Sequence, residues 1–81
     1  MSDPSPEEVS AFRVDARGLP CPLPIALLAR ALKEHRLVEL SADDPAARGD
    51  LEAFCKQTGN RLLSLQAEGP LLTALVLRQV S

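Results

Sequence analysis

Hydrophobic and polar positions along the chain change period repeatedly, and each change marks an element. Ala11-Phe12-Arg13-Val14-Asp15 alternates, with Phe12 and Val14 on one side, which predicts a short strand facing a core with those two residues. Arg17-Gly18 then turns the chain. From Pro24 the apolar positions fall at Ile25, Leu28, Ala29 and Leu32, while Ala26, Arg30 and Lys33 face outward. That i, i+3, i+4, i+7 spacing predicts a helix of about three turns, opened by the fixed φ of Pro24 and ending near His35. Leu37 to Ser41 reads as a second strand. Asp43-Asp44-Pro45 interrupts regular structure and makes a capped turn, after which Asp50 is the expected N-cap of a second helix over residues 50–58. Leu51, Phe54, Cys55 and Thr58 recur there at helical spacing, and Gly59 stands where a left-handed C′ residue would end the helix. Leu62 to Ala67 and Leu71 to Arg78 are strands joined through Glu68-Gly69-Pro70, a connection short enough only for a hairpin.

The order βαβαββ predicts an α/β fold: a two-layer α/β sandwich in which a four-stranded mixed sheet carries two helices on one face. The two β-α-β passages favour parallel neighbours. The other sheet face would be open, with Leu62, Leu72 and Val76 as candidates to lie on it, either as ordinary exposed aliphatics or as a patch for a partner.

Composition narrows what such a fold can do. Residues 1–9 are expected to be a polar, disordered tail, leaving residues 10–81 as the domain. A domain of that size buries roughly 60% of its unfolded surface, which excludes a multi-domain enzyme built around a large cofactor crevice. Leu and Ala supply 26 residues, Phe only two, and Trp and Tyr none, so stacking platforms for single-stranded nucleic acid cannot be built. The formal charge of −2 is concentrated in the tail (Asp3, Glu7, Glu8), and nine basic against eight acidic side chains remain, giving no field that would draw nucleic acid or a membrane. The first residues lack the basic start and apolar stretch of a leader, and no apolar run approaches ~18 residues, so a cytoplasmic location is expected. Two cysteines 34 positions apart fit neither a disulfide scaffold nor paired metal knuckles.

Candidate chemistry concentrates in Arg17-Gly18-Leu19-Pro20-Cys21-Pro22-Leu23-Pro24, between the first strand and the first helix. Prolines restrict the residue before them, so Pro22 and Pro24 stiffen the backbone around Cys21 and hold its thiol ahead of the helix. With Leu23 as N-cap, the N–H groups of Ile25, Ala26 and Leu27 would lack a side-chain cap. Those donors and the positive end of the helix dipole would favour a thiolate or a persulfide anion. Cys21 is thus a candidate nucleophile, set against the plainer reading of a small buried hydrophobe in a proline turn. Cys55 reads as core, with a resolving-thiol role as the alternative. His35 is placed at the far end of the helix, away from Cys21, Asp43 and Asp44 read as structural, and Arg13, Arg17, Arg30 and Lys33 form either a basic rim near the cysteine or a solvated surface.

Asp15-Ala16-Arg17-Gly18-Leu19-Pro20-Cys21-Pro22-Leu23-Pro24 resembles the D-x-R-G-L-x-C-P-x-P signature of the TusA (SirA-like) sulfur-carrier family, and Ala42 to Ala46, Asp50, Phe54-Cys55 and Thr58-Gly59 resemble its second conserved region. The resemblance implies a sulfurtransferase acting as a sulfur carrier. Cys21 would take sulfane sulfur from a cysteine desulfurase as a persulfide and relay it to an acceptor protein, with Gly18, Pro22 and Pro24 shaping its loop. Family uses include tRNA thiolation, molybdenum-cofactor maturation, sulfur oxidation and, in some relatives, selenium handling. No metal or organic cofactor, no direct contact with nucleic acid and no membrane is implied. The chain departs from the family at Leu27, where many members carry Lys or Arg, at Glu34-His35-Arg36, where a Gly is common, and at Glu52, which replaces a frequent proline. The competing expectations are a regulatory or protein-interaction module that carries no sulfur, and a redox sensor closing a Cys21–Cys55 disulfide.

Overall fold

The structure is a computed structural model and describes residues 11–79; the tail expected over residues 1–9 lies outside the described residues. Its elements follow the predicted order: β1 (Phe12–Asp15), α1 (Leu23–Leu32), β2 (Leu37–Ala42), α2 (Ala47–Thr58), β3 (Arg61–Glu68) and β4 (Leu71–Leu77). The sheet order is β1-β2-β4-β3, with β1 parallel to β2 and the other neighbours antiparallel. Only the first β-α-β passage therefore joins adjacent strands. The tight turn at Gly69-Pro70, with Gly69 at φ 56°, folds β4 straight back beside β3. β4 then occupies the slot next to β2, where its near-continuous apolar run Leu-Leu-Thr-Ala-Leu-Val-Leu suits a central strand.

Both helices cover one face of this sheet, giving the expected two-layer sandwich. α1 contributes Pro24, Leu28, Ala31 and Leu32 to the core, and α2 contributes Ala47, Leu51 and Cys55. Beneath them lie Val38, Leu40 and Ala42 of β2 and Leu72, Ala74 and Val76 of β4, all buried. The core is aliphatic, so burial of these side chains, each contributing about 1.5–3 kcal/mol for a fully enclosed Leu or Val, is what fixes the sheet face.

The residues assigned to the open face are corrected by this packing. Leu72 and Val76 are in the core and Leu62 packs against it. The half-buried Leu37, Leu71, Leu75 and Leu77 alternate with the buried positions and so point away from the helices. Alternation could not decide between the two sets, because β4 is apolar at almost every position. In β3 a register shift between Leu62 and Ser64 adds a residue, leaving Leu63 47% exposed. Phe12 also departs from the core reading. It is 44% exposed at the start of β1 and stacks on His35, ring centroids 3.9 Å apart and planes within 5°.

α1 stops at Leu32, so His35 sits in the turn that follows it. The Arg78 guanidinium donates through Nη1 to the carbonyls of Leu32 (3.4 Å) and Lys33 (3.5 Å), placing a cation at the negative end of the helix. α2 begins three residues before the predicted start and ends as expected: Gly59 takes φ 81° and its N–H donates to the Cys55 carbonyl at 2.9 Å. Among the described residues no helix is long and apolar enough to cross a membrane.

Candidate functional site

Between β1 and α1 the chain is braced from both sides. Arg17 grips the Asp15 carboxylate with two parallel side-chain bonds, Nε to Oδ1 and Nη2 to Oδ2, both 2.9 Å, and its backbone N–H donates to Oδ1 at 3.1 Å. The Arg17 side chain first, and its backbone N–H second, hold the Asp15 carboxyl down to about 2. Gly18 follows at φ 82° with nothing within 4 Å of where a Cβ would stand, so glycine is required there by backbone conformation and not by space. The Gly18 N–H donates to Asp43 Oδ1 at 2.9 Å, and the Ala16 N–H to the Ser41 carbonyl at 2.7 Å. The loop is thus pinned to the end of β2.

Cys21 is half-buried at the end of this loop, followed by a cis Cys21–Pro22 peptide bond. Pro22 is the N-cap of α1 and Leu23 its first residue, one position earlier than the sequence suggests. Among the described residues no side chain caps the helix, but the free donors expected at its start are paired. The N–H groups of Ile25 (3.1 Å) and Ala26 (3.0 Å) both donate to the Pro22 carbonyl, and Leu23 N–H donates to Pro20 at 3.0 Å. Pro24 has no N–H and is fully buried, and Leu27 as the fifth helical residue enters the regular ladder. What α1 offers the thiol is its positive dipole end, not a set of unpaired N–H groups.

The polar groups that do meet Cys21 come from the second helix and the turn before it. Asp44 accepts from the Cys21 N–H through Oδ2 (3.4 Å) and from the Ala46 N–H through Oδ1 (2.8 Å). Asp43 and Asp44 are structural, as expected, but they stabilise the cysteine loop across the chain as well as their own turn. Because Asp44 secures the entry to α2, the helix starts at Ala47, and Asp50 is not the N-cap predicted from sequence. Instead it lies in the first turn of α2, half-buried, and Cys21 Sγ donates to Asp50 Oδ2. Pro22, Ile25, Ala53, Phe54 and Gln57 line a shallow groove that continues from Asp50 along both helices. Leu23, 46% exposed, stands beside the loop.

Other candidates fall elsewhere. His35 lies beyond the opposite end of α1, roughly 15 Å of helix from its start by the rise of ten residues. Among the described residues no cysteine–histidine pair forms. The basic rim is not assembled either: Arg13 pairs with Glu39 at 3.6 Å, Arg17 is held by Asp15, and Arg30 and Lys33 sit at the C-terminal end of α1. Cys55 is buried on α2, where desolvation pushes its thiol pKa up, and neither cysteine is bridged. Asp50 is the member of the site that sequence reasoning missed. The available signal was its position one turn inside a helix that the Asp44-Pro45 turn could already start.

The sequence profile described as Sulfurtransferase TusA matches residues 12–78. A sulfur carrier protein TusA of Allochromatium vinosum is 41% identical over 59 residues, covering 69% of this chain and 78% of that protein. The Bacillus subtilis relative YrkF is longer: a match at 39% identity covers 73% of this chain but 34% of its length. Among solved structures, a SirA-like protein from Desulfitobacterium hafniense superposes with a TM-score of 0.71 at 21% identity, over 82% of this chain and 95% of that one.

Proposed function

The chain belongs to the TusA sulfur-carrier family, and from that premise we propose that Cys21 accepts sulfane sulfur from a cysteine desulfurase and relays it to an acceptor cysteine on a downstream protein. The exchange is Cys21–SH + R–S–SH → Cys21–S–SH + R–SH. The Sγ–S bond forms as the donor's S–S bond breaks, the bonding pair leaves on the donor sulfur, and no oxidant or reductant is consumed. Unloading repeats the step with Cys21 as the donor.

The observation that carries this reading is the placement of the motif thiol. Cys21 stands at the surface end of a loop fixed by Gly18, Pro22, Pro24 and two aspartates, at the positive end of α1 and with a carboxylate on its sulfur. A carrier needs access for two partners in turn, and a half-buried thiol on a shallow rim offers it, whereas a deep pocket would not. Free thiols at both cysteines suit the reducing cytoplasm in this reading. The terminal product would be a thiolated tRNA, a matured molybdenum-cofactor enzyme or an intermediate of sulfur oxidation.

Incubation with a cysteine desulfurase and cysteine, without reductant, followed by intact mass spectrometry, tests the proposal. Wild type is expected to gain one sulfur atom that dithiothreitol removes, and Cys21→Ser to gain none. No gain on wild type, or equal gain on the variant, would defeat it.

A further inference from the structure

The contact between Cys21 Sγ and Asp50 Oδ2 joins the ends of two helices that are otherwise separate in sequence by 29 positions. An acidic residue in a first helical turn is explained in general by the helix dipole, but that does not explain its aim at a sulfur atom. Asp50 has no other assigned task. Its side chain makes no ion pair among the described residues, and it is not the N-cap of α2, a position held by Ala46. An ordinary thiol is only a few per cent ionised at neutral pH, and the free N–H donors that could have favoured a Cys21 thiolate are taken by Pro20 and Pro22 carbonyls. The sulfur therefore needs somewhere to send its proton, and Asp50 is the group in contact with it.

We infer that Asp50 is the general base of sulfur loading: its carboxylate takes the Cys21 thiol proton as Sγ attacks the donor persulfide. This rests on the reading of Cys21 as a sulfur acceptor. As the new Sγ–S bond forms and the donor's S–S bond breaks, the proton passes to Oδ2 of Asp50, and the departing thiolate of the donor then takes a proton from Asp50, leaving the donor as a thiol and the carboxylate restored. Atoms and electrons balance without any further reactant. Asp50 is catalytic in the sense that it touches the reacting atom.

Few other charges bear on the pair. From the β2–α2 turn, Asp44 holds the Cys21 backbone N–H and Asp43 the Gly18 N–H. Within the loop Arg17 is engaged by Asp15, on α2 Arg48 is engaged by Glu52 at 3.6 Å, and α1 carries no acidic residue in its first turn. The groove beside the thiol is lined by uncharged residues apart from Asp50 itself.

The test is the pH profile of single-turnover loading from cysteine persulfide, a small donor that removes partner docking from the measurement, followed by mass spectrometry between about pH 6 and pH 10 on wild type, Asp50→Asn and Asp50→Glu. Asp50→Asn keeps the shape of the side chain and leaves the backbone bond to Ala46 in place, and far-ultraviolet circular dichroism checks that it folds. Expected is a drop of about 10²-fold for Asp50→Asn near pH 6.5 that shrinks toward parity above pH 9, where hydroxide in solution competes with the carboxylate for the proton, with Asp50→Glu recovering part of the loss. A variant as fast as wild type, or faster, at low pH overturns the inference, since it shows the carboxylate to be only a like charge beside the sulfur. So does a uniform reduction at every pH, which shows Asp50 to act by positioning alone. If wild type takes no sulfur at any pH, the reading of Cys21 as acceptor falls, and this inference with it; if wild type loads normally and only the profile of the variant fails to change, the role of Asp50 alone falls.

Discussion

The two cysteines occupy opposite kinds of ground. Cys55 sits on the apolar stripe of α2, 8% exposed and surrounded by aliphatic side chains, and burial alone shifts its thiol toward the neutral form. Cys21 sits on a loop held by four aspartates: Asp43 on Gly18, Asp44 on its own N–H, Asp15 on Arg17, Asp50 on its sulfur. The difference teaches what the proposed role of Cys21 rests on: a polar cage and access to the sulfur, neither of which the buried thiol has.

Exchanging the two residues for inert ones breaks that contrast most sharply. Cys21→Ser is expected to abolish sulfur loading with little change in thermal stability. Cys55→Ala is expected to lower stability by about 1 kcal/mol, read by urea denaturation, while loading stays within roughly twofold of wild type. Loss of loading in the second variant with the fold intact would make Cys55 a working thiol and erase the distinction.

Alkylation by iodoacetamide near neutral pH probes the same contrast without mutation. Cys21 should label at least ~100-fold faster than Cys55, whose modification waits on opening of α2. Similar rates, followed by peptide mass spectrometry, would mean that α2 does not protect its stripe.

The sequence made much of this legible, for reasons that also explain the failures. Period changes located every element because aliphatic spacing responds to burial, and the helix end at Gly59 was readable because its left-handed φ demands a residue without a Cβ. The candidate loop stood out through Cys21 among its prolines and through the signature running from Asp15 to Pro24. Other features depended on packing and were not readable. The face of β4 could not be assigned, since Leu72 and Leu75 are chemically alike and only packing tells them apart. The partner of Cys21 was hidden as well, because Asp43, Asp44 and Asp50 all look like capping residues, and which one meets the loop backbone, the turn or the sulfur depends on tertiary contacts.

Two smaller effects sharpen the account of the cage. Asp44→Ala removes acceptors for Cys21 and Ala46 together, and should cost about 1 kcal/mol of stability while slowing loading several-fold. An unchanged loading rate would confine Asp44 to the α2 turn. At the outer edge, Asp15 is fully exposed and its carboxyl is depressed by Arg17 to about 2. The sign follows from the lowered value: the clamp contributes above the ordinary carboxylate range near ~4 and is lost as pH falls through about 2, so the loop should not change between pH 5 and pH 8. Carboxyl chemical shifts should place the Asp15 midpoint near 2 in wild type and return it toward ~3.9 in Arg17→Ala. A midpoint already near the ordinary value in wild type would mean that the bidentate grip does not persist in solution.

Locating the sulfur decides whether Cys21, of the two thiols, is the one that carries it. The chain is loaded by a cysteine desulfurase, its exposed persulfides and thiols are trapped with an alkylating reagent, and peptides containing Cys21 and Cys55 are weighed separately. One added sulfur is expected on the Cys21 peptide and none on the Cys55 peptide. Sulfur on Cys55, or an equal division between the two, would contradict it.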